Sequence, residues 1–233
     1  MNIVSFQKFT LVDFPGKIAT TVFTPGCNFR CPFCYNPELV LGAQMTGEEA
    51  GNETAKEFFE YLEERKGKIE GICITGGEPT LHPGLIDFMK RIKDAGFFVK
   101  LDSNGTRPDV LRCAFEEKVV DYVAMDIKNS LERYEETVGI KVDTERIKLS
   151  VELIKNSGVD YDFRTTVVPG IHTYEDFEDI KNWIGGAKKY ALQSYRDQNI
   201  LDPNLREKKG EVLDLEKIKE SIESEFGEVI VRE

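Results

Sequence analysis

Short apolar runs alternate with amphipathic stretches along almost the whole chain. The runs are rich in β-branched and aromatic residues and are bounded by turn-forming residues, which predicts buried strands. They lie at 20–24, 69–75, 97–101, 122–127, 161–168 and 190–194. Between the runs, apolar residues recur at helical spacing, which predicts helices with one buried face. These stripes are Ala55, Phe58, Phe59 and Leu62; Leu85, Ile86, Phe88, Met89 and Ile92; Val110, Leu111, Ala114 and Phe115; Ile147, Val151 and Ile154; and Phe177, Ile180, Trp183 and Ile184.

Capping signals predict where several of these helices begin. Thr46 and Glu49 have the spacing of a capping box. Pro108 suits a first helical turn, where its missing N–H costs nothing. Thr173 and Asp214 can each cap the apolar stripe that follows them.

The alternation of strand and helix predicts an α/β fold with a parallel sheet and right-handed crossover helices. No linker rich in Pro, Gly or Ser divides residues 1–233, so we expect one domain. Residues 1–18 form a strand or hairpin lead-in, 196–213 a polar connection, and 214–233 a last helix and strand. Periodicity alone does not separate a closed eight-stranded barrel from a partial one, but six or seven predicted strands favour the partial barrel.

Composition and charge narrow the class of protein. The chain has 233 residues, of which 40% are hydrophobic and 31% charged, as in a soluble globular protein. No apolar run approaches the ~18 residues that a membrane helix needs, and the N-terminus lacks the pattern of a signal peptide, so we expect a cytoplasmic protein. The net charge of −11 disfavours a nucleic-acid partner. The chain has only two histidines, His82 and His172, and both are expected to be structural. Because this leaves little material for acid–base catalysis by histidine, we expect a cofactor to carry the chemistry.

The candidate chemistry is concentrated in T-P-G-C-N-F-R-C-P-F-C-Y-N, residues 24–36, which holds Cys27, Cys31 and Cys34. Structural zinc sites and ordinary iron–sulfur clusters are coordinated by four protein ligands. Three thiolates on one loop favour a [4Fe–4S] cubane with one iron left open for a ligand. A zinc site completed by another residue and a chance cluster of thiols are the alternatives. Cys73 and Cys113 lie on apolar faces and are expected to be buried and inert.

The spacing C-x3-C-x2-C, with Phe33 before its third cysteine, resembles the radical S-adenosylmethionine (SAM) superfamily. The flanks T-L-V-D-F-P-G, residues 10–16, and C-Y-N-P-E-L, residues 34–39, resemble the activating proteins of glycyl-radical enzymes, above all those of anaerobic ribonucleoside-triphosphate reductase. The resemblance implies a (β/α)6 partial barrel, a [4Fe–4S] cluster and SAM. It also implies a glycyl-radical enzyme as protein substrate and flavodoxin or ferredoxin as electron donor. No side chain is assigned a catalytic role beyond the cluster and SAM.

Candidate ligand residues follow nearly every predicted strand, where parallel α/β folds gather their sites. Gly76, Gly77, Glu78 and Pro79 come after the second core strand, and two glycines let backbone approach a ligand closely. By resemblance this G-G-E-P motif binds the methionine amino group of SAM. An ordinary glycine-rich turn with a solvated Glu78 is the alternative.

The resemblance assigns further SAM contacts to Asn36, Ser103, Asn104, Asp126, Lys128, Arg164 and Gln193. It also implies a possible monovalent cation at Asp102, Ser103, the Ala124 carbonyl and Asp126. A salt bridge between Asp126 and Lys128, and a protein carboxylate as the partner of Arg164, are the structural alternatives.

Two positions depart from the family pattern, since Gln193 and Tyr35 stand where many relatives have histidine. Neither position is a predicted iron ligand. Two rival functions stay open, namely a radical SAM enzyme acting on a small molecule or a tRNA base, and a non-enzymatic zinc-binding module.

Overall fold

The computed structural model describes residues 1–41, 48–207 and 210–232. The predicted capping box of Thr46 and Glu49 involves a residue outside these ranges. Strands and helices alternate, and the strands follow the order of the chain in a mostly parallel sheet. The predicted α/β class is therefore confirmed, and the sheet is consistent with a partial barrel. None of the described helices is long and apolar enough to cross a membrane.

The strands are β1 (Ser5–Thr10), β2 (Ala19–Thr24), β3 (Gly71–Gly76), β4 (Phe98–Ser103), β5 (Tyr122–Asp126), β6 (Asp160–Val167), β7 (Tyr190–Ser194) and β8 (Val229–Arg232). The helices are α1 (Pro37–Leu41), α2 (Glu48–Arg65), α3 (Leu85–Asp94), α4 (Pro108–Glu116), α5 (Tyr134–Val138), α6 (Thr144–Asn156), α7 (Tyr174–Ile184) and α8 (Leu215–Ile222).

The chain packs as two compact units, one of Met1–Asn28, Glu38–Ser103 and Arg107–Val123, the other of Phe29–Pro37, Asn104–Thr106 and Ala124–Glu233. The single-domain interpretation stays a prediction, and each unit is described by itself.

In the first unit, β1 pairs antiparallel with β2, which confirms the lead-in strand. β2, β3 and β4 are parallel neighbours. Ile72, Ile74, Val99 and Leu101 are fully buried in these strands, and Phe58 and Leu62 are fully buried on α2. Strands covered on both faces read as continuous apolar runs, which is why the sequence pattern located them.

In the second unit, β6, β7 and β8 are parallel neighbours. Thr173 and Asp214 cap α7 and α8 as predicted, and Thr173 forms a full capping box with Asp176. The 196–213 connection holds a short 3-10 helix, Pro203–Glu207. Buried side chains in this connection are Ile200, Leu205 and Leu213, so it packs on the unit rather than forming only a polar loop.

Two expectations need correction. Cys113 is partly exposed rather than buried, because it lies about 200° around α4 from the buried Leu111. The strand predicted at 97–101 is β4, Phe98–Ser103, because its last two residues, Asp102 and Ser103, are polar and do not belong to the apolar run.

Candidate active site

The turn after β3 is held by backbone contacts that need glycine. Gly77 N–H donates to the Thr24 carbonyl at 2.8 Å, and Glu78 N–H donates to the Gly26 carbonyl at 2.8 Å. A Cβ on Gly77 would overlap the Gly26 carbonyl, and Gly76 has φ of +122°, which L side chains rarely adopt. The G-G-E-P turn is therefore joined directly to the residue that precedes Cys27.

Glu78 is 1% exposed, so it is not a solvated surface carboxylate. Its Oε1 accepts hydrogen bonds from the Thr80 N–H at 3.1 Å and from the Ser103 hydroxyl at 2.9 Å. Pro79 follows it as the first residue of a short 3-10 helix. Two predicted SAM contacts, Glu78 and Ser103, therefore touch each other in the first unit.

Asp102 pairs with the Lys100 ammonium, whose side chain is only 3% exposed. The ammonium also lies 3.5 Å from the Cys73 sulfur. Sequence reasoning missed Lys100, although a lysine inside the apolar F-F-V-K-L run is a signal, since a buried cation needs an anionic partner.

His82 lies near the start of the cysteine loop, with its Nε2 2.9 Å from the Pro25 carbonyl oxygen. Burial lowers its pKa more than this hydrogen bond raises it, which favours the neutral ring. Cys27, two residues beyond Pro25, is partly exposed.

The second unit contains Cys31 and Cys34. Cys34 N–H donates to the Cys31 carbonyl at 3.1 Å, which closes a tight turn. Cys31 is buried and Cys34 partly exposed. Phe33, between them, is 4% exposed and packs edge-on against the His172 ring, with centroids 6.5 Å apart. Phe33, the aromatic residue of the motif, therefore holds this turn of the cysteine loop in place by packing on His172.

Asp126 lies between two cations. Its Oδ2 is 3.0 Å from the Lys128 ammonium and its Oδ1 is 3.0 Å from the Arg164 guanidinium. Burial raises the pKa of Asp126, but the charges of Arg164 and Lys128 more than offset this and lower it to about 2. Burial likewise disfavours the charged form of Lys128, but Asp126 and then Cys31 raise its pKa above the usual range. Both structural alternatives considered for these residues, the Asp126–Lys128 bridge and a carboxylate partner for Arg164, are present.

The other predicted site residues lie in different local surroundings. The Asn104 side-chain oxygen accepts from the Thr106 N–H at 3.1 Å and hydroxyl at 2.7 Å, which shapes the turn after β4. Gln193 is half-buried near the end of β7, in register with Arg232 of β8. Asn36 is half-buried immediately before α1, and Ala124 is fully buried in β5.

His172 fixes the backbone of Lys128 within the second unit. Its Nδ1 accepts from the Val168 N–H at 3.0 Å, so its Nε2 carries the proton and donates to the Lys128 carbonyl at 2.9 Å. Burial lowers its pKa more strongly than these contacts raise it. The ring is thus a neutral bridge that fixes the backbone of Lys128, a role that no spacing in the sequence signals.

Within the part of the chain that the structure describes, no group of three or more His, Cys, Asp or Glu side chains is arranged to hold a metal ion. The cysteine ligands and the cation site accordingly stay predictions.

Comparison with known proteins gives consistent matches. The model of the Radical SAM superfamily matches residues 21–184. A putative glycyl-radical enzyme activating enzyme of Methanocaldococcus jannaschii, MJ1227, is 34% identical over 218 residues, which are 89% of this chain and 87% of that protein. The pyruvate formate-lyase-activating enzyme of Clostridium pasteurianum is 30% identical over 218 residues, covering 89% of this chain and 86% of the relative.

Among solved structures, Streptococcus suis SuiB bound to SAM superposes with a TM-score of 0.65 at 13% sequence identity. The match covers 91% of this chain and 52% of that one, so the chain spans about half the length of this structural neighbour. At that identity the likeness concerns the fold alone.

Proposed function

Because this chain belongs to the radical SAM superfamily and, within it, to the activating enzymes of glycyl-radical enzymes, we propose that its protein substrate is an anaerobic ribonucleoside-triphosphate reductase. Membership of the family makes the chain an enzyme whose cofactors are a [4Fe–4S] cluster and SAM. It also removes the non-enzymatic zinc-binding alternative.

We assign the cluster to Cys27, Cys31 and Cys34, because cysteine thiolates are the ligands that iron–sulfur clusters take. Burial lowers the pKa of Lys128, and Cys31 is one of the groups whose charge raises it, after Asp126.

When bound by Cys27, Cys31 and Cys34 and reduced, the cluster would supply the one-electron reduction of SAM through which this family generates a glycyl radical on its partner. The protein's own residues bind, orient and shield. Buried Glu78 offers its carboxylate to the amino group of SAM, and Gly76 and Gly77 let the turn pack against the backbone of Thr24 and Gly26.

The remaining SAM contacts are assigned to individual residues. The Arg164 guanidinium has five donors, so it can hold Asp126 and still bind the methionine carboxylate. By family resemblance we also assign SAM contacts to Ser103, Asn104, Lys128, Gln193, Asn36 and Pro79. Gln193 would donate or accept hydrogen bonds to the nucleoside without titrating.

One contact supports the proposed SAM-binding role of Glu78 more directly than the others. The Gly26 carbonyl accepts from the Glu78 N–H at 2.8 Å, so the residue before the first proposed iron ligand is bonded to the proposed SAM ligand itself. A turn with a solvated glutamate, the alternative for G-G-E-P, does not have this burial or this contact.

The choice of partner rests on the T-L-V-D-F-P-G and C-Y-N-P-E-L flanks of the sequence. We propose that the reaction takes place in the cytoplasm, where thiols stay reduced, with a flavodoxin or ferredoxin as electron donor.

Anaerobic mixing tests the partner. The reconstituted protein, SAM and a strong reductant are incubated with the anaerobic ribonucleotide reductase of the same organism, and electron paramagnetic resonance is recorded. We expect a glycyl-radical doublet that disappears when the radical glycine of the reductase is changed to alanine. SAM cleavage without a doublet on the reductase would refute the partner but not the family.

Pyruvate formate-lyase is the second candidate partner. The specific observation in its favour is the 30% identity with the Clostridium pasteurianum activating enzyme over 89% of this chain. The same experiment with pyruvate formate-lyase separates the two, since the doublet should form on one partner only.

A further inference from the structure

Lys100 is a buried cation that the proposed reaction does not use. β3 and β4 are parallel, and Cys73 is the register partner of Lys100, so the two side chains lie on the same face of the sheet. Lys100 is 3% exposed and Cys73 1% exposed. Lys100 is also two residues before Asp102 in one strand, which puts its ammonium beside that carboxylate.

The surroundings of Asp102 suit an ammonium better than a metal ion. The Cys73 sulfur lies 3.5 Å from the Lys100 nitrogen and 3.7 Å from Asp102 Oδ1. Sodium and potassium are hard ions that prefer oxygen ligands, and a thiol is a poor ligand for them. An ammonium instead donates one hydrogen to the carboxylate and can direct another at the sulfur.

The pair is one residue from the proposed SAM site. Asp102 immediately precedes Ser103, whose hydroxyl donates to Glu78 Oε1 at 2.9 Å. An uncompensated carboxylate at Asp102 would be costly at this depth and would disturb the end of β4. Neutralising Asp102 therefore keeps Ser103 and Glu78 in place.

We propose that the Lys100 ammonium is the resident cation of the Asp102 site, in place of a bound monovalent metal ion, and that Lys100 is a positioning residue for Ser103 and Glu78. This inference rests on the proposed SAM site, and it replaces the cation site implied by family resemblance with a side chain of the protein itself.

The test measures equilibrium SAM binding to the iron-loaded protein without oxygen, in potassium, sodium or choline chloride at equal ionic strength. Choline is too large to enter a site of this kind. The wild-type protein should bind SAM equally in all three salts. Lys100→Met should bind about tenfold more weakly in choline and recover in potassium or ammonium, because a small cation can then neutralise Asp102.

Two further variants make the test specific. Lys100→Met with Asp102→Asn removes both charges and should bind SAM independently of the salt. Lys90→Met removes an ion-paired lysine with 41% of its side chain exposed and should behave as wild type. If Lys100→Met does not fold, the wild-type salts and the double variant still decide the matter.

Several outcomes would contradict the role proposed for Lys100. A wild-type protein that loses about tenfold in SAM affinity in choline needs a metal ion, and the inference is wrong. Folded Lys100→Met that binds as wild type in every salt, or weakly in every salt, also overturns it. A wild-type protein that binds no SAM in any salt contradicts the proposed function instead.

Discussion

The Cys34 carbonyl oxygen accepts a hydrogen bond from the Leu201 backbone N–H at 3.1 Å. The Pro32 carbonyl accepts from Asp202 N–H at 3.0 Å in the same way. These bonds tie the second half of the cysteine loop to the segment after β7, which the sequence presents only as a polar connection.

Tyr35 adds to this attachment. Its hydroxyl accepts from the Arg196 N–H at 2.7 Å, and its ring stacks on Tyr195 with centroids 6.2 Å apart and planes 22° apart. We predict that Tyr35→Leu, which loses both contacts, releases iron to a chelator up to about thirtyfold faster than wild type, since about 1 kcal/mol is lost for each of the two contacts. Tyr35→Phe, which keeps the stack, should lie between them. Tyr61→Leu on α2 is the remote control and should release iron at the wild-type rate. Equal rates of iron release from wild type, Tyr35→Leu and Tyr35→Phe would contradict the attachment.

Replacing single cysteines tests the cluster ligands. Cys27→Ala, Cys31→Ala and Cys34→Ala should each lose most of the about four irons expected per chain, because each removes one of three attachments. Iron and acid-labile sulfide are measured after anaerobic reconstitution. Cys113→Ala is the matched control and should keep its iron, since Cys113 lies on α4, outside the loop. Undiminished iron in all three loop variants would end the assignment.

Gly77→Ala tests the joint between the G-G-E-P turn and the cysteine loop. The added methyl group would overlap the Gly26 carbonyl, so we expect about 1–3 kcal/mol less stability and weaker SAM binding. Gly96→Ala is the control, because among the described residues nothing beyond its chain neighbours lies within 4 Å of its Cβ, and its cost is only that of φ at +93°. Thermal unfolding and SAM binding are measured for both. Unaltered SAM affinity in folded Gly77→Ala would separate the turn from the site.

The two histidines predict a pH dependence of stability. Burial lowers the pKa of His172 below its usual 6.5. Below that pH the His172 ring is therefore protonated in the unfolded chain but stays neutral in the folded chain. The free energy of unfolding should therefore fall as the pH drops below about 6.5, by at most about 1.4 kcal/mol per pH unit for one proton.

His172→Gln should make that fall shallower, and His82→Gln should remove much of the rest, since burial lowers the pKa of His82 too. Urea unfolding between pH 7 and 5 measures the slopes. If His172→Gln keeps the full wild-type slope, the neutral bridge is not the cause.

Local signals were enough to predict most of the fold. Apolar runs located the strands because parallel strands are buried on both faces, and Thr173 and Asp214 identified helix starts because capping depends on neighbours in sequence. The end of β4 was misplaced because Asp102 and Ser103 are polar, although they are held in the strand by contacts to Lys100 and Glu78.

The candidate site was predictable where a motif is contiguous, as in the cysteine loop and G-G-E-P. It was not predictable where contacts join distant residues. The His172 bridge to Lys128 spans 44 positions, and the bond from Arg196 to Tyr35 spans 161. Neither pair follows a period or a spacing, so only the folded chain reveals them.

The bonds from Gly77 and Glu78 to Thr24 and Gly26 use no iron and no thiol. A chain without its cluster therefore keeps this end of the cysteine loop bonded to the turn after β3. We expect reconstitution with iron and sulfide to require no refolding of this turn.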